Sequence, residues 1–167
     1  MFDAGLYVFL LRLKSPATLA VGALGEHHFP AGWYLYTGSA KRNLHRRVAR
    51  HWSVKPTRRW HFDHLSTAPD SEPVGAVVVP LAAGVGECEL NRRVGTLVGR
   101  QYPVPGFGAS DCREGCPAHL WFSAAPVSLL GLARVHATAA LLMPGADFWE
   151  PDLHELGDAV DPTGRGP

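Results

Sequence analysis

The chain has 167 residues, of which 46% are hydrophobic, and a formal net charge of +1. This length suits one domain with its own core and argues against two full domains. The balanced charge excludes a uniformly basic protein, and no apolar run reaches the ~18 residues of a membrane-spanning helix. Three cysteines, an odd number, without a secretory signal predict a reduced, cytoplasmic protein with no membrane partner.

The N-terminal part of the chain is rich in strand-forming segments. Residues 5–13 (GLYVFLLRL) are apolar on both faces apart from Arg12, which is typical of a buried central strand. Residues 18–25 predict a short second strand. Residues 32–38 (GWYLYTG) are aromatic and bounded by glycines, so they predict a further strand.

The middle of the chain combines helices with a strand. Asn43 can cap a helix that runs to about Trp52, and a second helix is expected to begin near Arg59. Residues 74–81 (VGAVVVPL) predict a strand, and residues 87–100 predict a helix.

The C-terminal part has weaker patterns. Residues 103–116 are rich in Gly, Pro and Asp and predict a loop, residues 119–122 predict a final short strand, and residues 124–143 predict an added helix or an irregular cover. We therefore expect residues 1–123 to form an α/β domain, with a small mixed or antiparallel sheet of three to five strands flanked by helices. Residues 124–167 would form an extension with a loose acidic tail.

Basic residues are concentrated in one stretch. Residues 27–62 contain no Asp or Glu and hold half of the 16 Lys and Arg. Such a face favours an anionic partner, although a solvated helix face is an equally good interpretation of the charge run alone. The candidate nucleic-acid contacts are Lys41, Arg42, Arg46, Arg50, Arg58 and Arg59.

Helical phase separates the arginines of the first predicted helix. Arg47 and His51 lie four residues apart at one edge of the apolar stripe, whereas Arg46 and Arg50 point away from it. A sheltered arginine either pairs with a carboxylate or binds an anion, and both interpretations of Arg47 stay open.

The same reasoning separates two carboxylates on the helix predicted for residues 87–100. Glu87 falls within the apolar stripe at the helix start, where a carboxylate must be paired, protonated, bound to a metal or used as a cap. Glu89 lies outside the stripe, four residues before Arg93, and predicts a surface ion pair.

The cysteines have partly zinc-like spacing. Cys112, Cys116 and His119 follow one another closely, and Cys88 is a conceivable fourth ligand. Zinc knuckles more often show two separated pairs of ligands, and helical phase places Cys88 away from the apolar stripe. The sequence therefore favours buried, reduced thiols over a structural zinc.

Several motifs resemble those of one nuclease superfamily. Residues 5–7 (GLY) resemble the GIY motif of the GIY-YIG nucleases, and residues 36–38 (YTG) resemble their YIG motif. Residues 38–51 (GSAK, then Arg-x-x-Arg-His) look like the segment that follows YIG in homing endonucleases of the family. Glu87 opens a later helix, as the family's metal-binding Glu does, and His61 sits where members often carry a further His.

The resemblance covers roughly residues 5–122. The ECEL, PGFG-SDC and HLWF segments are similar to a small stand-alone branch of the superfamily. Tyr7 and Tyr36 are separated by 28 residues, more than the tight hairpin of typical members, so residues 14–31 should contain an inserted strand or loop. No residue clearly matches the Asn that some members use late in the domain.

The resemblance implies an endonuclease that hydrolyses phosphodiester bonds in nucleic acid, with DNA as the expected substrate. It implies one Mg²⁺ or Mn²⁺ ion on Glu87, phosphate binding by Arg47, and Tyr7 as general base, assisted by Tyr36. His51 and His61 would relay protons. The alternatives are a non-catalytic nucleic-acid-binding module on the same fold, or an interaction protein in which these residues only pack and pair. The sequence leaves the oligomeric state open.

Overall fold

The computed structural model describes residues 2–53 and 55–145 of the chain. Within these residues the strands are β1 (Gly5–Leu13), β2 (Ala17–Ala20), β3 (Glu26–Phe29), β4 (Gly32–Ala40), β5 (Ser71–Pro80), β6 (Leu120–Ser123) and β7 (Ala140–Leu142). The helices are α1 (Leu44–Ala49), α2 (His61–Ser66), α3 (Glu87–Leu97) and α4 (Leu129–Ala133). Five strands form an antiparallel sheet in the order β6-β4-β1-β5-β7. The predicted α/β class, with a small sheet flanked by helices, is confirmed.

Strand β1 is the centre of the sheet, as its apolar sequence predicts. It pairs with β4 on one side and β5 on the other, and all of its residues except Arg12 are buried. Alternate side chains point to opposite faces of a strand. Tyr7 and Phe9 therefore join the core on one face of the sheet, which includes residues of α1 and α2, and Val8 joins the core on the other face, which includes residues of α3 and α4.

A small hairpin accounts for the inserted residues between β1 and β4. Strands β2 and β3 pair with each other, and a 3-10 turn (Gly22–Leu24) connects them. The predicted strand over residues 18–25 is therefore half correct. Strand β3 (sequence EHHF) was not predicted, because its alternation of polar and apolar residues is too short and too polar to stand out.

Helix α1 is shorter than predicted and begins differently. It ends at Ala49, and i-to-i+3 turns continue the chain to Ser53. The prediction that the Asn43 side chain caps this helix is wrong. Asn43 has left-handed backbone angles (φ 54°) and makes no side-chain cap, whereas a capping side chain needs an extended backbone. Its backbone N–H instead donates to Asp3 Oδ1 at 2.8 Å.

The described part of the predicted extension, residues 124–145, contains helix α4 and an edge strand of the sheet, β7. The Ser128 hydroxyl caps α4 by accepting a hydrogen bond from the Gly131 N–H at 3.0 Å, and β7 pairs with β5. The predicted loose tail falls on residues 146–167, which lie outside the described residues. No helix in residues 2–53 and 55–145 has both the length and the apolarity that crossing a bilayer requires.

Candidate active site

The two motif tyrosines lie on the same face of the sheet. In the β1–β4 ladder Tyr7 is opposite Gly38, and Phe9 is opposite Tyr36. Because Tyr7 and Phe9 are two residues apart, Tyr7 and Tyr36 are diagonal neighbours on one face. Their ring centroids are 6.2 Å apart in an edge-to-face arrangement. The paired motifs predict that both tyrosines lie on neighbouring strands with their hydroxyls in the same cleft. The neighbouring strands and the shared face are confirmed; Tyr36 lines the cleft described below, and Tyr7 lies beneath it.

The glycine of the YTG motif leaves room for the first tyrosine. A Cβ atom placed on Gly38 would lie 2.5 Å from the Tyr7 hydroxyl oxygen, well inside the closest contact that real Cβ atoms make. The Tyr7 ring is buried, and its hydroxyl reaches the position where Gly38 opens into a surface cleft. Glycine is therefore required at this position by the packing of Tyr7, independently of any function.

That cleft has a volume of about 300 Å³ and is the candidate site. It is lined by Tyr36, Gly38, Ser39, Arg47, Arg59, Trp60, His61, Glu87, Gly108, Ser110 and Asp111. The structure thus brings five of the predicted site residues to one cleft, with Tyr7 directly beneath it. Ser39, Trp60 and Asp111 are lining residues that sequence reasoning missed. Asp111 lies in a Gly- and Pro-rich loop whose path the sequence does not fix.

Arg47 is exposed and faces the cleft. Its guanidinium carbon lies 4.5 Å from the centre of the Trp60 ring, and it is close enough to the Tyr7 hydroxyl to lower the pKa of that tyrosine by charge and hydrogen bonding. Among the described residues, no Asp or Glu lies within 4.0 Å of this guanidinium. Carboxylate pairing of Arg47 is therefore not seen among the described residues, and anion binding by Arg47 stays a prediction.

A second, more basic pocket of about 570 Å³ adjoins the cleft and shares Ser39, Arg47 and Trp60 with it. The remaining lining residues of this basic pocket are Lys41, Arg42, Asn43 and Arg46. Its lining includes no acidic side chain, so the pocket suits an anion. Of the other predicted contacts, Arg58 is exposed, and Arg59 lines the cleft.

Arg50 does not point into solvent as its helical phase predicts. Its Nη1 atom donates to Asp63 Oδ1 at 2.6 Å, and its guanidinium carbon lies 4.3 Å from the centre of the Trp60 ring. Asp63 is fully buried and also accepts hydrogen bonds from the backbone N–H groups of Arg59 and Trp60, at 2.7 and 3.1 Å. The expectation fails because helix α2 places the Asp63 carboxylate against the side of α1 that helical phase predicts to face solvent.

Burial makes both motif tyrosines weak acids in the free protein. Burial raises the pKa of Tyr7 to about 12, and the charge of Arg47 opposes that rise. Burial, followed by the charges of Tyr7 and Glu87, also raises the pKa of Tyr36 well above its ordinary value. Both phenols are therefore protonated at neutral pH in the free protein.

The two candidate histidines differ in position. His51 is buried behind Tyr7, with Nε2 at 3.1 Å from the Tyr7 hydroxyl oxygen, and burial lowers the pKa of His51 to about 3, so the ring is neutral. His61 lines the cleft, and its Nδ1 atom accepts a hydrogen bond from the Gly108 N–H at 3.0 Å. Neutral His61 therefore carries its proton on Nε2.

Glu87 begins helix α3 and is half-buried at the edge of the cleft. Its Oε1 atom lies 2.8 Å from His119 Nδ1. Although burial would raise the pKa of Glu87, hydrogen bonds from His119 and Ser39 and the charge of Arg47 hold that pKa below its usual value. Glu87 is therefore an ionised carboxylate at neutral pH.

Glu89 is exposed on the same helix and pairs with Arg93, as predicted. Two carboxylates that are two residues apart thus have different surroundings, one in the cleft and one in solvent.

The predicted zinc candidates are gathered beside Glu87. The ligand atoms of Cys88, Cys112, Cys116 and His119, here called the Cys/His cluster, all lie within 4.8 Å of one another, so the cluster can hold a metal ion. Cys88 lies outside the predicted apolar stripe of α3 but is buried, because residues 112–119 cover that side of the helix.

Sequence comparison gives the chain a family. It belongs to the family described as "Domain of unknown function DUF123", whose model matches residues 6–139. The matched residues include those of the cleft and of the Cys/His cluster and end just before β7. No curated protein and no solved structure gives a significant match.

Proposed function

We propose that this protein is a metal-dependent endonuclease of the GIY-YIG type that hydrolyses phosphodiester bonds in DNA. The observation that carries the proposal is the cleft itself. Tyr36, Arg47, His61 and Glu87 line it, although they come from a strand, two helices and the start of a third. Phosphodiester hydrolysis needs this combination of an anion-binding cation, a metal-binding carboxylate and proton-transferring groups.

The carboxylates of the cleft fit a hard divalent cation. Glu87 is ionised and half-buried, and Asp111 and the Ser39 hydroxyl line the same cleft. Mg²⁺ and Mn²⁺ prefer oxygen ligands, and Mg²⁺ is commonly held by one or two carboxylates while it keeps several waters. When bound, such an ion would act as a Lewis acid at a phosphate oxygen and neutralise developing negative charge. We assign Glu87 as its principal ligand, with Asp111 as a second candidate.

Arg47 is suited to hold the scissile phosphate. Its guanidinium can donate two parallel hydrogen bonds to phosphate oxygens. Stacking on Trp60 restricts the orientation of the guanidinium, so less freedom is lost when the phosphate binds. The neighbouring basic pocket would take the next phosphates of the strand on Lys41, Arg42 and Arg46.

Tyr7 is the proposed general base, and its neighbours favour the ionised form that this role needs. Among the described residues, His51 Nδ1 is buried without a hydrogen-bond partner, which favours the tautomer with the proton on Nε2, next to the Tyr7 oxygen. The Tyr7 oxygen can then accept hydrogen bonds from His51 and Arg47, and both stabilise a phenolate. Tyr36 would position the attacking water, and His61 Nε2–H would donate a hydrogen bond to the leaving oxygen, which takes its proton from water.

A non-catalytic DNA-binding module is the second candidate. It is favoured by the burial of Tyr7 and by a pKa of about 12, which together oppose base catalysis in the free protein. Such a module would need the basic pocket but neither Glu87 nor Tyr7.

The discriminating experiment is a cleavage assay on single-stranded, duplex, flap and branched DNAs, with RNA of the same sequences for comparison. We expect cleavage of at least one DNA in Mg²⁺ or Mn²⁺ and none in EDTA. Binding measured in parallel would separate the two candidates, because a binding module retains DNA with or without metal. Binding without cleavage of any substrate would overturn the nuclease proposal.

A further inference from the structure

The Cys/His cluster lies outside the cleft but touches it through one residue. Cys88 is in the first turn of α3, Cys112 and Cys116 are in the loop before β6, and His119 directly precedes β6. His119 Nδ1 faces Glu87 Oε1 at 2.8 Å, and its other ring nitrogen, Nε2, lies 3.8 Å from Cys88 Sγ. The imidazole therefore sits between the cluster and the cleft carboxylate.

The distances within the cluster match a tetrahedral metal site. Zinc–sulfur bonds of about 2.3 Å and zinc–nitrogen bonds of about 2.0–2.1 Å place two sulfurs about 3.8 Å apart, and a sulfur and a nitrogen roughly 3.5 Å apart. The Cys88 and Cys112 sulfurs are 3.5 Å apart, and all four ligand atoms lie within 4.8 Å of one another. A disulfide would instead bring two sulfurs to about 2.05 Å, and all three cysteines are free.

Hydrogen bonds near Cys112 and near His119 hold the two ends of the intervening loop in place. Backbone N–H groups of Glu114 and Cys116 donate to the Cys112 sulfur, which lies 3.5 Å from Cys88 Sγ. Asn91 is buried on α3, and its Nδ2 atom donates to the Ala118 carbonyl at 2.8 Å, next to His119. The ligand atoms of Cys112 and His119 are thus held against α3.

We propose that Cys88, Cys112, Cys116 and His119 bind one structural zinc ion, with His119 Nε2 as the nitrogen ligand. Three thiolates and one imidazole are a common ligand set for structural zinc, whereas Mg²⁺ and Ca²⁺ prefer oxygen. The ion would tie α3, the loop over residues 103–118 and β6 together. The sequence favours reduced thiols without zinc because the ligand pairs are not separated and Cys88 lies outside the apolar stripe, whereas the fold brings Cys112, Cys116 and His119 to that side of α3.

The same geometry gives Glu87 a second partner. A histidine that binds zinc through one nitrogen commonly donates its other N–H to a carboxylate, which fixes the orientation of both groups. His119 Nδ1–H would donate to Glu87 Oε1 in this way and leave Oε2 for the cleft. This part rests on the proposed function, since it makes Glu87 the link between a structural zinc and the catalytic metal. Glu87 is then held by a positioning residue, His119.

Metal analysis of the full-length chain tests the zinc site without reference to cleavage. After expression with added zinc, we expect about one zinc per chain. Co²⁺ in its place should give the strong visible absorption of tetrahedral thiolate coordination. Cys112→Ser, Cys116→Ser and His119→Ala should lose the metal, whereas His28→Ala, which changes an exposed histidine on β3, should keep it.

Since loss of a ligand can unfold the chain, the wild-type Co²⁺ spectrum and metal content are decisive by themselves. A metal-free wild-type protein with three freely titrating thiols would overturn the proposal, as would full zinc content in the Cys112→Ser variant.

Two Glu87 variants test the link to the cleft by competition with a zinc chelator. Glu87→Gln keeps an oxygen that accepts from His119, so zinc affinity should stay close to wild type. Glu87→Ala removes the acceptor and should lower zinc affinity by about 10–100-fold. Unchanged affinity in Glu87→Ala would overturn the link while the zinc site stands. Zinc binding by a protein that cleaves no substrate would refute the nuclease proposal but not the zinc site.

Discussion

Two arginines of the basic stretch, one on helix α1 and one directly after it, have different surroundings. Arg47 and Arg50 are three residues apart, and both guanidinium groups lie over the Trp60 ring, at 4.5 and 4.3 Å. Arg50 forms an ion pair with the buried carboxylate of Asp63. Arg47 faces the cleft, and among the described residues no carboxylate lies within 4.0 Å of its guanidinium. The charge run in the sequence does not distinguish these residues; the position of one aspartate does.

The comparison separates a structural charge from a functional one. Asp63 neutralises Arg50 and lies 4.0 Å from Lys55 Nζ, so this part of the basic stretch is balanced inside the protein. Arg47 and the basic pocket are not balanced within the described residues and are free to meet an external anion. The predictions below test whether this division is correct.

The largest effect is expected at Arg47. Arg47→Ala should reduce kcat about 10²–10³-fold, because it removes donors aimed at the developing charge on phosphate, and it should leave the melting temperature nearly unchanged. Arg47→Lys should recover only part of the rate, since an ammonium cannot make the bidentate contact. Single-turnover cleavage and thermal melts provide the measurements. A large fall in Tm in Arg47→Ala would show that Arg47, like Arg50, is structural.

The converse effect is expected at Asp63. Asp63→Ala should lower the free energy of unfolding by about 2–4 kcal/mol, because Arg50 and two backbone N–H groups lose their acceptor. Denaturant unfolding measures this change.

The decline of the free energy of unfolding at low pH is a second test of the role of Asp63. Burial opposes ionisation, but hydrogen bonds from Arg50, Arg59 and Trp60 hold the pKa of Asp63 below its ordinary value. The resulting stabilisation is complete above the unfolded pKa of about 3.9 and is lost as pH falls through the folded pKa. Asp63→Asn should therefore show a flatter decline of stability below about pH 4. An identical decline in both proteins would contradict this account.

A smaller, pH-dependent effect is expected at Tyr7. If the phenolate is the base, cleavage should rise close to tenfold per pH unit from about pH 6 to 8, because the pKa in the free protein is about 12 and the ionised fraction grows with pH. Tyr7→Phe should remove this slope, whereas Tyr36→Phe should retain it at a lower rate. A pH-independent rate over this range would exclude Tyr7 as the base.

The smallest effect concerns salt. Arg46→Ala should reduce the dependence of log affinity on log salt by about one unit, because Arg46 lines the basic pocket and would meet a phosphate. Arg50→Ala should change the slope little and destabilise the fold instead. Binding isotherms at several salt concentrations test both variants. Equal slope changes in the two variants would remove the distinction between Arg46 and Arg50.

The two strands that carry Tyr7 and Tyr36 were predicted correctly, because the side-chain pattern of a strand is regular. The apolar run of β1 and the aromatic run of β4 predicted the two strands, and the resemblance of their motifs to GIY and YIG predicted that Tyr7 and Tyr36 lie on neighbouring strands. Helix α3 and the contrast between Glu87 and Glu89 followed from helical phase in the same way.

Contacts between distant segments were the part that could not be predicted. Arg50 meets Asp63, Cys88 meets Cys112, and Asp111 enters the cleft only because loops and short helices return to particular places. A periodic pattern says which side of an element is apolar, but it does not say which segment covers the other side. The orientation of Arg50 was misjudged, and the gathering of the Cys/His cluster was missed, for this reason.

The central claim is that the Glu87 carboxylate holds the catalytic metal in the cleft, and the most direct test compares Glu87→Ala with Glu89→Ala. Both variants remove one carboxylate from the first turn of α3, and Glu89→Ala loses only a surface pair worth about 0.3–0.5 kcal/mol. In Mg²⁺ or Mn²⁺ we predict wild-type cleavage by Glu89→Ala and none by Glu87→Ala, with DNA binding retained by both. Cleavage by Glu87→Ala at the wild-type rate would contradict the account.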